Sequence, residues 1–517
     1  MKKTMKILFL VFVLSLAVAA LAACGHEHEY GDAYSYDGSH HWKAGTCEHE
    51  DAEDEAPILE FATHTMGARQ VVENPTCGKA GKAVTRCTVC GFEKVEILNA
   101  TGEHSWEMQG DDYKPYRETT AGSKFIYEHK KCTVCDAKSA PVKAYNAGWD
   151  YDETHHFHAP SDPTQDWERI ESAEHTFTTR YTHSRGVLYT ESTCSVCKYV
   201  AKTAVPNGYA VTDTKSAQAA LDAATDGALI YFFPGTYDDT PLYFRTLETG
   251  TVYALGGDWA GGSGKIYYRE FKNITLQADN NVVLTQGFVV ESLAYTPGGP
   301  NIHKPSRDGY FYGAIKFTNL TFKNMKFSLD RTEADAVLRL ENYCEVDGLT
   351  FDGCTLSLSG TGEGAPSTSS RLLYAPITPY ELKNSDGTTV LNTGLKNITV
   401  KNCKVTGVHQ VLEIRGAENV TVEGNTFESI ADRAILLAGE TPYTGTVTVK
   451  NNTVTGLGER FLRANAIEGA ITVTGNSITD YTGSDHDVIK ITGTPTACTV
   501  ENNTLPEGKE VTVPQAE

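Results

Sequence analysis

The sequence predicts a mostly β chain: a parallel β-solenoid over residues 206–510 with a short N-terminal capping helix, preceded by small Cys/His-rich β modules. Three observations carry this. First, six segments of one shape run down the C-terminal part: LTFDGCTL, ITVKNCKV, VTVEGNTF, VTVKNNTV, ITVTGNSI and CTVENNTL. Their aligned positions are Cys354, Cys403, Asn425, Asn452, Asn476 and Asn503, with Met325 of LTFKNMKF in register ahead of them. The last four steps are 22, 27, 24 and 27 residues, and self-similarity at such a period marks coils that bury their apolar faces by stacking. Second, a further β-run precedes each segment (AIKFT, VLRLE, LLYAP, VLEIR, AILLA, FLRAN, VIKIT), and its alternation is that of strands. Third, three CxxC pairs stand upstream in a stretch with little apolar periodicity.

The chain opens with Lys2, Lys3 and Lys6, an apolar run from Ile7 to Ala20, and Leu21-Ala22-Ala23-Cys24. A charged start, a short apolar core and a small-residue cleavage site make residues 1–23 a secretory signal rather than a membrane span. The end of that signal resembles the lipobox of bacterial lipoproteins. The resemblance implies lipidation at Cys24 and an extracytoplasmic, membrane-anchored chain. Loss of the three leader lysines takes the formal charge from −21 to −24. Such a surface repels phosphates, which excludes nucleic acid as a partner.

Residues 24–205 hold 8 of the 12 cysteines that follow Cys24, and most of the histidines. Aligning the segments ahead of the CxxC pairs gives three sets of four ligands. The first is His64, Cys77, Cys87 and Cys90; the second is His104, Glu118, Cys132 and Cys135; the third is His175, His183, Cys194 and Cys197. A CxxC knuckle presents two thiolates on one face, and a His with one further ligand completes a tetrahedral zinc site. Disulfide closure within each knuckle is the alternative in an exported chain. Structural zinc suits units too poor in apolar residues for a core of their own. These units resemble the short cysteine-rich repeats of bacterial surface proteins. The phrases YSYDGSHHWKAGTC and WDYDETHHFHAPSD also repeat. Their pairs His40/His41 and His155/His156 invite a metal reading, with Cys47 as a further ligand, but read more simply as polar and aromatic packing residues.

The stretch TKSAQAALDAA, from Thr214 to Ala224, has helical spacing with Ala219, Leu221 and Ala223 among its small apolar positions. It is suited to cap the open end of a solenoid, which otherwise exposes a core cross-section and unpaired strand edges. An Asn stacked at one corner of successive coils can bridge its amide to neighbouring backbone. A Cys or Met fills the same slot as a small apolar residue. Together these features resemble the right-handed parallel β-helix of pectate lyases and their many non-enzymatic relatives, over residues 206–510. Residues 511–517 are left as a tail.

In carbohydrate-active members of that fold the substrate lies along outward side chains of one sheet. The outward column here reads Lys316, Arg339, Tyr374, Glu413, Leu436, Arg463 and Lys490, flanked by Glu341, Arg415 and Asn465. Arg339, Glu341, Tyr374, Glu413, Arg415 and Arg463 are thus the candidate catalytic patch, with bases for a lyase and carboxylates for a hydrolase. The motifs of polygalacturonases and pectate lyases are missing, so the patch equally fits a surface ladder. Two long segments, 253–271 and 291–312, carry Trp259, Tyr267, Tyr268, His303, Arg307, Tyr310 and Tyr312. Exposed aromatics on such loops stack on sugars, or pack the loop to the solenoid. The expected function is a tethered surface lipoprotein whose solenoid binds glycans or surface polymers, without metal in the solenoid. A polysaccharide lyase or hydrolase, or a protein-binding adhesin, are the alternatives.

Overall fold

The computed structural model describes residues 29–46, 58–106, 116–246, 251–254, 265–290 and 313–514, apart from short gaps at 136, 239, 333–335, 341–343, 360–365, 378–379 and 440. Two compact units divide it: one runs to Thr176 and takes in Ser195–Cys197, and the other comprises Phe177–Cys194 and Lys198 onward. No described helix is long and apolar enough to cross a membrane.

The first unit is a series of four three-stranded antiparallel modules. The first module is Tyr30–Tyr36, His40–Gly45 and Ile58–Thr63; the second is Gln70–Glu73, Gly81–Arg86 and Glu93–Leu98. The third is Tyr116–Glu118, Phe125–His129 and Lys143–Asn146; the fourth is Asp150–Tyr151, His155–His158 and Ile170–Glu174. Each is too small to enclose a core, and the strand Ile58–Thr63 is exposed along its whole length. Between the third and fourth modules, which lack a CxxC pair at their junction, Ile126, Tyr145 and Ile170 form an apolar cluster with Trp167 against it.

The second unit is a right-handed parallel β-helix, as its sequence predicts. Coils rise through three sheets. Sheet A carries the first strand of each later coil (Cys344–Asp352, Thr389–Lys401, Val420–Glu423, Val447–Lys450, Ala470–Thr474, Ala497–Glu501), sheet C the second, and sheet B the third. Pairing stays in register, as in Val420↔Val447↔Ile471. Sheet A extends upstream of residue 206, through the antiparallel strands Phe177–Ser184 and Val187–Cys194. Inward residues form one continuous core that begins with phenylalanines such as Phe244, Phe271 and Phe317 and continues in Val, Ile and Leu. Each such buried side chain contributes about 1.5–3 kcal/mol, so the stability of this unit lies in the stack.

The helix Thr214–Ala223 starts at Asp213, whose carboxylate accepts from the Ser216 amide in a capping box. It buries Ala217, Ala220 and Leu221. The expected Ala219 and Ala223 face solvent, because helical spacing admits two phases and the sheet selects one. Arg269 donates to the carbonyls of Leu221 and Asp222, satisfying the helix end.

The ladder lies at the corner between sheets A and C. Asn425 and Asn452 are 1% exposed. The Oδ1 of Asn452 accepts from the backbone N–H of Asn425 at 3.0 Å, and its Nδ2 donates to the Val422 carbonyl at 2.9 Å. Asn476 and Asn503 repeat the pattern. Just before each ladder position the chain turns through the left-handed region, at Asn324, Gly353, Asn402, Gly424, Asn451, Gly475 and Asn502 in strict alternation. Gly, and less readily Asn, enters that region. A Cβ at Gly475 would stand 2.5 Å from the Oδ1 of Asn451 in the coil below, so an Asn there covers the Gly that follows.

Candidate metal centres and ligand-binding face

Among the described residues, three Cys/His groups have ligand atoms within 4.8 Å of one another: His41, His64, Cys87 and Cys90; Cys77, His104, Cys132 and Cys135; and His156, His175, Cys194 and Cys197. The first two are each assembled from two consecutive modules. His41 comes from the middle strand of the first module and His64 from the linker after it, while Cys87 and Cys90 form a knuckle in the second. Cys77 sits in the first turn of the second module and His104 in the linker after it, while Cys132 and Cys135 form the knuckle of the third.

This changes three predicted ligands. Cys77 belongs to the middle group, and His41 takes its predicted place in the first. Glu118 stands outside the middle group, its carboxylate paired with Lys138 at 2.7 Å and His129 at 3.2 Å. His183 lies in a hairpin with its ring 4.4 Å from Phe233, and His156 stands where it was expected. His41 and His156, read from sequence as packing residues, are 4% and 5% exposed and face the groups. Cys47 and Cys24 lie outside the described residues.

The separations suit a tetrahedral ion. Cys77 Sγ is 3.4 Å from the Sγ atoms of Cys132 and Cys135. Nδ1 of His64 is 3.3 Å from Cys90 Sγ, that of His104 3.4 Å from Cys135 Sγ, and that of His175 3.5 Å from Cys197 Sγ. Zinc bonds of about 2.3 Å to sulfur and about 2.0 Å to nitrogen place tetrahedral ligand atoms roughly 3.5–3.8 Å apart. The cysteines of the first two groups are thiols outside any disulfide. The other ring nitrogen of His64 donates to the Asp37 carbonyl at 3.0 Å, and that of His175 to the Asp152 carbonyl at 2.9 Å. That hydrogen bond fixes the ring proton on Nε2 and turns Nδ1 toward the cysteines. The repeated phrase is thereby explained. The Asp37 carboxylate accepts from the Ser39 and His40 amides, and Asp152 from the Thr154 and His155 amides. Each turn thus aims a backbone carbonyl at one member of the group and adds a His to it.

Burial opposes a thiolate at Cys87, but the amides of Cys90 and Val89 and the His64 ring outweigh it and bring the thiol down to about 6. Cys132 is likewise brought down to about 6, against burial, by the Val134 amide and the His104 ring. Cys77 is pushed up to about 11 by burial and then by Cys135 and Cys132 beside it. Three thiols in one place favour a thiolate set only around a cation.

On the second unit, the outward column of sheet B runs Val289, Arg339, Tyr374, Glu413, Leu436, Arg463 and Lys490 in continuous register. Lys316, predicted to lead it, is instead in sheet A, bridged to Glu345 at 2.8 Å. The Tyr374 ring has the guanidinium of Arg339 at 5.3 Å and that of Arg371 at 5.0 Å. Arg371 also binds Glu413 at 2.8 Å, and Arg415 lies 3.8 Å from Glu413. Glu341, Trp259, His303, Arg307, Tyr310 and Tyr312 lie outside the described residues, whereas Tyr267 and Tyr268 are half-buried in the strand Lys265–Lys272.

A second polar column, missed from sequence, follows the turn between sheets C and B. Asp432 and Glu459 stack in adjacent coils, the Glu459 amide donating to the Asp432 carbonyl. Arg433 contacts Asp432 at 3.0 Å and Glu459 at 2.5 Å, and Arg460 joins Glu459 to Asp485. Gln410 connects this chain to Arg371, and hence to Glu413. Burial, and then Asp432 beside it, push the Glu459 carboxyl up to about 7. Asp432 stays below its ordinary value because the hydrogen bond with Glu459 and the Arg433 charge overcome burial. The signal was present: the pairs Asp432-Arg433 and Glu459-Arg460 recur at the 27-residue offset of Asn425 and Asn452.

No curated protein matches the chain. The family model for the right handed beta helix region matches residues 313–505, and so identifies the later coils as a right-handed β-helix.

Proposed function

We propose that this chain is an extracytoplasmic surface lipoprotein, tethered through Cys24, whose modules hold structural zinc and whose β-helix binds a glycan or surface polymer. The observation that carries the binding reading is the sheet B column, where Arg339, Tyr374 and Glu413 stand on adjacent strands in register. An aromatic ring between guanidinium groups offers a face for a sugar and charged donors for its hydroxyl or carboxylate groups. The zinc reading is supported by ligand spacing and by modules that lack a core.

A glycan-array screen tests it. Binding is expected to fall at least tenfold in Tyr374→Ala and Arg339→Ala, and equal binding by both variants would sink the reading. The tether is tested separately: Cys24→Ser should move the protein out of the membrane fraction, and unchanged retention would refute lipidation.

A second reading, glycan cleavage, is favoured by Asp432 and Glu459. Two carboxyls whose surroundings push their pKa values apart can divide acid and base roles between them. Release of reducing ends or unsaturated uronates, lost in Glu459→Gln, would establish it. No release from any glycan that binds would exclude it.

A further inference from the structure

The middle metal group differs from its neighbours in one ligand. Where the others have His41 and His156, it has Cys77. This cysteine belongs to the second module, and the two thiols 3.4 Å from its Sγ belong to the third. The approach is built into the backbone. A Cβ added at Gly78 would come 2.9 Å from the Cβ of Cys135 and 3.0 Å from its Sγ. Closing 3.4 Å to a disulfide length of about 2.05 Å asks for roughly 1.4 Å of movement. Among the described residues, the thiols of the first group and those of the third each come from one CxxC knuckle. Their oxidation ties a turn to itself.

We propose that Cys77 is a latent cross-linking site. When the metal leaves the middle group, an external small-molecule disulfide converts Cys77 and one knuckle cysteine into a disulfide between the second and third modules. The thiolate of Cys132 or Cys135 attacks the external disulfide, forming a mixed disulfide and expelling one small thiolate. Cys77, deprotonated, then attacks the protein sulfur of that mixed disulfide and expels the second. Two protein thiols lose two electrons and two protons, and one external disulfide becomes two small thiols. The remaining knuckle cysteine stays a thiol. Bound metal holds all three sulfurs as ligands and blocks the first attack. The middle group thus exchanges one inter-module fastening for another, a step for which the described residues of the outer groups offer no third thiol.

This rests on the metal reading for what protects the thiols, but not for their juxtaposition. The test uses the full-length protein as isolated, with zinc measured by elemental mass spectrometry. It is then treated with EDTA and oxidised glutathione, and mapped by non-reducing tryptic digestion. The expected product joins the peptide containing Cys77 to the one containing Cys132 and Cys135, with loss of two alkylatable thiols there. Cys87–Cys90 and Cys194–Cys197 bridges are expected at the other groups. Cys77→Ser should yield a Cys132–Cys135 bridge instead. Recovery of Cys77 as a thiol or glutathione adduct, beside a Cys132–Cys135 bridge in the unmutated chain, overturns the proposal. Protein isolated without zinc refutes the metal reading alone, because the cross-link is then scored in the same digest.

Discussion

A buried side-chain amide is costly to strand, and Asn452 serves two coils at once. Replacing it with Leu leaves the Asn425 amide and the Val422 carbonyl without their partners, a cost of about 1–3 kcal/mol. Thr453 next to it is exposed, and Thr453→Ala should cost only a few tenths of a kcal/mol. Cys403→Ala should fall below Asn452→Leu, since the thiol donates only weakly to a carbonyl. Urea midpoints at constant slope measure all three, and equal losses at 452 and 453 would contradict the register. The ladder was legible because an alternating strand shows which residues turn inward. Ligand groups were less so, since chain neighbours need not be spatial neighbours. Cys77 and Cys87 share a module yet belong to different ligand groups. What the sequence did hold was the twice-repeated Asp-x-(Ser/Thr)-His-His phrase, whose second His is the ligand. His41→Ala should therefore lower the zinc count in native mass spectrometry from three to two, while Glu118→Ala and His183→Ala keep it at three.

At the scale of elements, alternation tells inside from outside but not one sheet from another. That is why Lys316 was placed in the sheet B column: the run AIKFT alternates as a sheet B strand does, yet it opens the sheet A strand Gly313–Lys323. The turn between sheets C and B has no alternation at all, so its Asp432–Glu459 column is visible only by offset. That column makes a pH prediction. Glu459 has its folded pKa raised from 4.5 to about 7. Its contribution is complete below the unfolded value and is lost as pH rises through the folded one. Between pH 5 and pH 8 the unmutated chain should lose more thermal stability than Glu459→Gln, whose side chain cannot titrate. Parallel melting curves for the two proteins across that range would show that Glu459 ionises normally.

On the scale of the whole molecule, two routes to stability meet in one chain. The β-helix is held by a continuous apolar stack, whereas the described modules meet at groups of four Cys and His side chains suited to a metal, or at the Ile126–Tyr145–Ile170 cluster. Chelation should accordingly make the modules sensitive to protease while leaving the β-helix resistant. The corner residues add a property that no single coil possesses, which is parity. Asn and Gly alternate from 324 to 502, so an odd coil and an even coil are not interchangeable, and the unit that can be copied or removed is a pair. Deleting 424–450, one coil, would set Asn451 directly above Asn402, two side chains competing for space that admits one. Deleting 424–474, two coils, restores Gly475 above Asn402. The larger deletion should melt closer to the full-length chain than the smaller one, even though it discards nearly twice as much core. A solenoid of this kind counts in twos.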